Sequence, residues 1–249
     1  MSGQAITRRT ALLMTGGAFA GFARSAPDWR IPILVYHRFG LVVADSMTVR
    51  TASFENQLGE IRKLGLRVTP LPDLLRKPSA GIIAITADDG HRSVYSEMWP
   101  IIERARLPIT LFIYPSAISN ASYALTWAQL REMIHSGLVG IGSHTFWHPN
   151  FAHEKKRLSP DAYRHFVQFQ LIRSKQVIEQ QLSLPVTFLA WPFGIYDDEL
   201  IHAAEDAGYK AGFTIQRRLA TPADRSMALP RLLMTDLDVG ARFERLICP

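Results

Sequence analysis

Short apolar, β-branched runs alternate with stretches of helical periodicity along most of this chain, and that alternation constrains its fold more than any other feature. Such runs, bounded by turn residues, read as buried strands: Ile31–His37, Ile82–Ile85, Ile109–Tyr114, Val139–Gly142, Val186–Ala190, Ala211–Ile215 and Met227–Met234. Between them, Ser53 is placed to cap a helix whose Phe54, Leu58, Ile61 and Leu64 share one face, stopped by Gly65. The Pro-rich stretch Pro70–Pro78 reads as a connector, and Val94–Arg106 as a helix with Pro100 near an end or at a kink. Thr126 is placed to cap Trp127–His135, Ala162–Leu182 is the longest expected helix, and Asp198–Ala207 runs up to Gly208. Strands joined by helices return the chain to the same end each time, which dictates a parallel sheet. Seven or so repeats make a closed or nearly closed barrel.

The 249 residues, 47% hydrophobic and 20% charged, suffice for one globular domain with an ample core, and no repeat or low-complexity segment suggests a second. Cys248 is the only cysteine, so no internal disulfide can form and the fold rests on packing.

Residues 1–25 read as a signal rather than as part of that domain, which is expected over 27–249. The pair Arg8-Arg9 precedes a weakly apolar stretch, Ala11–Ala23, that is too short for the ~20 residues of a membrane-spanning helix and carries three glycines. Small residues follow, as a signal peptidase requires, with removal expected between Ala20 and Ser25; Pro27 disfavours cutting after Ala26. The pattern resembles a twin-arginine (Tat) export signal, with Ala11 where Phe is usual. This implies the Tat machinery as a partner, an exported protein, periplasmic or extracellular, and no transmembrane span once the signal is removed. The net charge of +6 then loses Arg8, Arg9 and Arg24. No basic cluster with interleaved aromatics remains to suggest nucleic acid.

Chemistry-bearing residues fall at one kind of position. His37, Asp88-Asp89, His144 to His148 and Trp191 to Gly194 each follow directly on an expected strand. In a parallel barrel all those positions share the face where active sites are built. Asp88 and Asp89 are adjacent carboxylates that need a cation or donors to coexist as anions. His144 and His148 are four apart, which on a helical turn puts both imidazoles on one side. Two histidines with one carboxylate leave open positions on a catalytic divalent ion. His135, His165 and His202 lie within expected helices, His153 in a charged loop, and His91 near the site without an assigned role.

Together these clusters resemble the polysaccharide deacetylase family (carbohydrate esterase family 4, the NodB homology domain) over about residues 31–235. Thr86-Ala87-Asp88-Asp89-Gly90 is similar to its T-F-D-D-G motif, and His144-Thr145-Phe146-Trp147-His148-Pro149 to H-[ST]-x-x-H-P. Ala190-Trp191-Pro192-Phe193-Gly194 is similar to R-x-P-[YF]-G. Tyr36-His37 at the end of the first strand looks most like the branch that deacetylates poly-N-acetylglucosamine. The resemblance implies a distorted, incomplete (β/α)7-type barrel of the α/β class. It also implies a metal-dependent hydrolase that removes N-acetyl groups from N-acetylhexosamine units of an extracytoplasmic polysaccharide.

Carried onto this chain, the family pattern makes Asp89, His144 and His148 the ligands of one divalent ion, expected to be Zn2+. Asp88 becomes the general base, and the Phe193 backbone N–H an oxyanion donor. Trp191, Pro192 and Phe193 become substrate-binding residues. Two departures matter. The family's third-motif arginine is Ala190 here, with Arg231 as the candidate replacement from the last strand. No histidine follows His202, so a protonated His37 takes the place of the late acid. The motifs leave open an O-acetyl esterase on xylan, a peptidoglycan deacetylase, and an inactive carbohydrate-binding protein on the same scaffold.

Overall fold

The computed structural model describes Met1 and residues 28–248. Apart from Met1, the expected export signal lies outside the described residues. Among the described residues ten strands are formed in chain order: β1 Ile33–Tyr36, β2 Arg38–Gly40, β3 Thr48–Arg50, β4 Arg67–Val68, β5 Ile82–Ala87, β6 Ile109–Ile113, β7 Val139–Ser143, β8 Phe188–Ala190, β9 Ala211–Phe213 and β10 Leu232–Leu233. The main sheet is parallel throughout, in the order β10-β1-β5-β6-β7-β8-β9, with β4 added at the start of β5. β2 and β3 pair separately.

This is an incomplete (β/α)7 barrel in a single domain. The gap between β9 and β10 is crossed by one bridge, Phe213 to Leu229, in which the Leu229 N–H donates to the Gly212 carbonyl and the Thr214 N–H to the Leu229 carbonyl, both 2.8 Å. The expected strand Met227–Met234 is therefore broken. It becomes a short 3-10 turn at Ser226–Ala228, this single bridge, and a two-residue strand beside β1. Pro230 brings no N–H to continue a ladder, and the segment must pass from one edge of the sheet to the other.

Helices cover the outer face of the sheet, so the long strands are buried along their whole length, as a parallel sheet requires. Alternation separates two cores. Leu34, Ile83, Ile85, Leu111 and Ile113 pack outward against helices, while Ile33, Ile82, Ala84, Phe112, Ala190 and Phe213 fill the lumen. Gly142 is required by that filling: a Cβ there would lie 2.4 Å from the Phe112 ring.

Several helices differ from the sequence reading. The first runs Thr51–Lys63 with Arg50 at its cap, and Ser53 is buried in its first turn. The Pro70–Pro78 connector contains a helix, Leu71–Arg76, opened by a proline in its first turn. The Thr126 cap of Trp127–His135 is present as a full capping box with Gln129. Val94–Arg106 is split into a π-turn, Val94–Met98, and an α-helix, Trp99–Ala105, that starts at the proline. The long helix is interrupted in the same way, as Pro160–Gln168, a π-turn at Phe169–Arg173, and Ser174–Leu182. His153 lies on a helix, Phe151–Arg157, capped by Asn150, and not in a loop. A last helix, Ala241–Ile247, had no strong signal. Among the described residues no helix is long and apolar enough to cross a membrane.

Candidate active site

The C-terminal ends of the strands gather the singled-out residues into one cleft of about 300 Å³. His37, Asp88, Asp89, His144, His148, Trp191 and Phe193 line it, with Arg38, Met47, Tyr114 and Ile215. His37 follows β1, the two aspartates follow β5, His144 follows β7 and Trp191 follows β8.

Asp88 is almost wholly buried, and Arg231 at the start of β10 is fully so. The guanidinium grips the carboxylate with both ends: Nη1 donates to Oδ1 at 2.8 Å and Nη2 to Oδ2 at 2.6 Å. Arg231 is itself fixed, since Nε donates to the Thr214 carbonyl (3.1 Å) and Nη1 also to Thr86 Oγ1 (3.1 Å). Its plane lies over Phe112 and Phe213, 5.2 and 5.8 Å from their centroids. Burial pushes the Asp88 pKa up, but Arg231, with smaller help from His144 and His37, overrides it and holds the group at about 2. Asp88 is therefore an anion aimed into the cleft with its orientation set.

Asp89 enters the same cleft from a left-handed backbone, with φ 70°. Its Oδ1 lies 3.6 Å from Nε2 of both His144 and His148, and the three ligating atoms all lie within 4.8 Å of one another. His144 Nδ1 is 2.7 Å from the Ala190 carbonyl, which places a proton on Nδ1 and turns Nε2 towards Asp89. Burial, then the neighbouring His144, lowers the His148 pKa to about 4, so this imidazole is neutral near pH 7. Two imidazoles and a carboxylate converging on one point fit a divalent ion of borderline softness.

The histidines do not reach this point through a helical turn. The segment after β7 is irregular, and Thr145 and His148 both have φ 64°. Two left-handed residues curl the loop so that the rings meet edge to face at 4.6 Å.

The remaining candidates divide. Phe193 is exposed at the rim, in a left-handed conformation (φ 57°), with its ring 4.6 Å from His148. Gly194 behind it (φ 68°) has no room for a Cβ, which would meet Ile215 at 2.8 Å. Trp191 is fully buried, its Nε1 donates to the Met227 carbonyl at 2.8 Å, and its ring packs against Phe151. It forms part of the cleft floor and offers no exposed face for a sugar ring. Pro192 is buried and does not line the cleft.

His37 Nδ1 is buried with no hydrogen-bond partner, and burial lowers the ring's pKa although Asp88 and Asp89 pull it up. Burial thus opposes the protonated form in which His37 is expected to act as the acid. His91 is turned away, bonded to Ser93 (2.8 Å) and stacked on Tyr123. His135, His165 and His202 are helical, as expected.

Sequence reasoning missed Arg38, Met47, Tyr114 and Ile215. Tyr114 and Ile215 follow β6 and β9, so the strand-end rule that selected the other residues also selects them. The Tyr114 hydroxyl is 3.0 Å from that of Tyr123, and burial raises its pKa. Arg38 is paired with Asp45, and Met47 lies two residues beyond that aspartate, so this wall is built by the small β2–β3 unit.

A parallel barrel with carboxylates, imidazoles and a bound guanidinium converging at its strand ends has the construction of a barrel hydrolase. The family model for polysaccharide deacetylase matches residues 76–212, and the chain belongs to that family. It is 28% identical over 220 residues to a Bacillus subtilis protein named "Putative polysaccharide deacetylase YxkH", covering 86% of this chain and 75% of that one. It is 23% identical over 198 residues to the poly-beta-1,6-N-acetyl-D-glucosamine N-deacetylase of Staphylococcus aureus, covering 76% and 68%. The deacetylase PplD of Streptococcus pyogenes, solved with acetate, superposes with a TM-score of 0.79 at 22% identity, over 90% of this chain and all of that one.

Proposed function

We propose that this polysaccharide deacetylase hydrolyses the N-acetyl groups of N-acetylhexosamine units in a polysaccharide outside the cytoplasm, using one divalent ion held by Asp89, His144 and His148. The observation that carries the reading is the pairing of two sites in one cleft. A three-ligand cluster of two imidazoles and a carboxylate stands beside a separate carboxylate, Asp88, kept ionised and oriented by Arg231. The similarity to the staphylococcal enzyme supports the substrate class.

Asp89, His144 and His148 would hold the divalent ion, expected to be zinc, and its positive charge would lower the pKa of a water and favour charge developing on the acetyl oxygen. Asp88 accepts the proton of the attacking water, and Arg231 keeps it from rotating or protonating while it waits. The guanidinium thus does from β10 what the third-motif arginine does in the family pattern, while position 190 contributes only its carbonyl, to His144. The Phe193 N–H, at the rim beside His148, donates to the same oxyanion. His37 takes up a proton during turnover and passes it to the leaving amine; a neutral resting imidazole with an unpartnered buried Nδ1 suits that transfer. Residues 1–25 serve as a twin-arginine export signal and 27–249 as the catalytic domain, a reading that rests on Arg8, Arg9 and the short apolar stretch after them.

Acetate release and metal content, measured on poly-N-acetylglucosamine, chitooligosaccharides, peptidoglycan and acetylxylan, test the reading. Release from the amide-linked hexosamine polymers is expected, and release confined to acetylxylan overturns the N-deacetylase assignment.

A further inference from the structure

The loop from Ser143 to His148 holds two residues in the left-handed region that non-glycine residues occupy only when their surroundings over-determine them. The restraint comes largely from a helix that does not touch the cleft. At the π-turn Phe169–Arg173 and just after it, Gln170 and Ser174 are both fully buried. Gln170 Oε1 accepts from the Trp147 N–H at 3.1 Å. Ser174 Oγ lies 3.0 Å from the Thr145 carbonyl and 2.7 Å from Ser143 Oγ, which in turn accepts from the Thr145 N–H at 3.1 Å. Inside the loop the His148 N–H donates to Thr145 Oγ1 at 3.2 Å, and on its far side the Phe146 carbonyl accepts from the Ser116 N–H at 3.1 Å. Tyr209 ties the widened turn itself to the start of β9, donating its hydroxyl to the Leu171 carbonyl at 3.0 Å.

Ser174 and Gln170 lie on the stripe that otherwise buries Tyr163, Val167, Ile178 and Leu182. Two polar side chains on an apolar stripe cost stability unless they are bonded. Gln170 Nε2 is left without a partner, and the bonds that Gln170 Oε1 and Ser174 Oγ make go to the loop that holds Thr145 and His148 in the left-handed region. π-turns inserted in α-helices recur at functional sites, and this one brings Gln170 and Ser174 to bear on successive parts of the same loop.

We infer that Gln170 and Ser174 are positioning residues that set the separation of the His144 and His148 rings, and thereby the affinity of this site for a divalent ion. The inference rests on the reading of Asp89, His144 and His148 as a metal site.

The test measures Zn2+ affinity by competition with a chromophoric chelator, together with the absorption spectrum of the Co2+ form, on the full chain and its variants. Gln170→Met and Ser174→Ala should each bind about 10- to 100-fold more weakly than the parent, the loss usual for outer partners of metal ligands, and should shift the cobalt bands. Ile178→Val, a core change further along the same helix with no bond to the loop, should lower thermal stability yet leave affinity and spectrum unchanged. Should Gln170→Met fail to fold, Ser174→Ala, which removes a single oxygen, decides alone. Folded variants that bind within twofold of the parent with an unaltered cobalt spectrum overturn the inference. A parent that binds neither ion overturns the metal reading first, and the positioning role with it.

Discussion

Replacing Arg231 by Met should be the most informative single change in the barrel. The substitution keeps an unbranched chain against Phe112 and Phe213 but removes every donor, so the Thr214 carbonyl and Thr86 hydroxyl each lose a bond and Asp88 loses two. A carboxyl held at about 2 in the fold, against about 3.9 in the unfolded chain, contributes roughly 2–3 kcal/mol of stability near neutrality. Without the guanidinium that contribution vanishes and burial raises the pKa instead, so the net loss should match the ~3–5 kcal/mol typical of breaking a buried pair. For a domain of this size that is a fall in Tm of about 6–20 °C.

The sign with pH is fixed. The pair's contribution is fully present above the unfolded pKa and is lost as the pH falls from about 4 towards 2. The gap between parent and variant should therefore narrow as the solution is acidified. Thermal and urea unfolding of metal-stripped protein between pH 3 and 7 measures both quantities. A loss below about 1 kcal/mol, or a gap that does not change with pH, refutes the argument that Arg231 holds Asp88 ionised.

Other outcomes follow from the same geometry. Asp88→Asn should keep its metal while turnover falls ~10²–10⁴-fold, as measured by acetate release beside metal analysis. His144→Ala should lose the ion and the activity together while the far-ultraviolet circular dichroism is retained. Asp238 is fully buried, and although burial raises its pKa, hydrogen bonds from Thr235 and then the hydrogen bond and charge of Arg217 lower it overall. Its contribution is therefore present above about pH 4 and lost below it, so in acid the stability gap between parent and Asp238→Asn should shrink. Replacing Arg8 and Arg9 together by Lys should leave an active precursor inside the cell, seen by fractionation and acetate assay.

Much of this was legible in the sequence because the barrel is built from uninterrupted apolar strands. Ile82–Ala87 and Ile109–Ile113 announce themselves by composition, and whatever follows a strand must emerge at the catalytic face. That single rule placed His37, Asp88, Asp89, His144 and Trp191, and Arg231 was reached through the family resemblance, as the candidate replacement for the third-motif arginine that is Ala190 here. What stayed hidden depends on backbone detail that periodicity does not encode. The two histidines four apart suggested a helical turn, yet left-handed φ values at Thr145 and His148 bring them together. The π-turn at Phe169–Arg173 was invisible because Val167, Leu171, Ile178 and Leu182 keep nearly helical spacing across it. Trp191 was expected to bind substrate from the family pattern, but its indole N–H is spent on the Met227 carbonyl inside the core.

The claim that an ion on Asp89, His144 and His148 is required for acetyl removal is tested most directly by titration. Metal-stripped protein is supplied with Zn2+ in small steps while acetate release from oligomers of poly-N-acetylglucosamine is recorded. Activity should rise in proportion to added metal and break at about one equivalent, with no rise in the His148→Ala protein. Undiminished turnover by the stripped protein in the presence of a chelator contradicts the account.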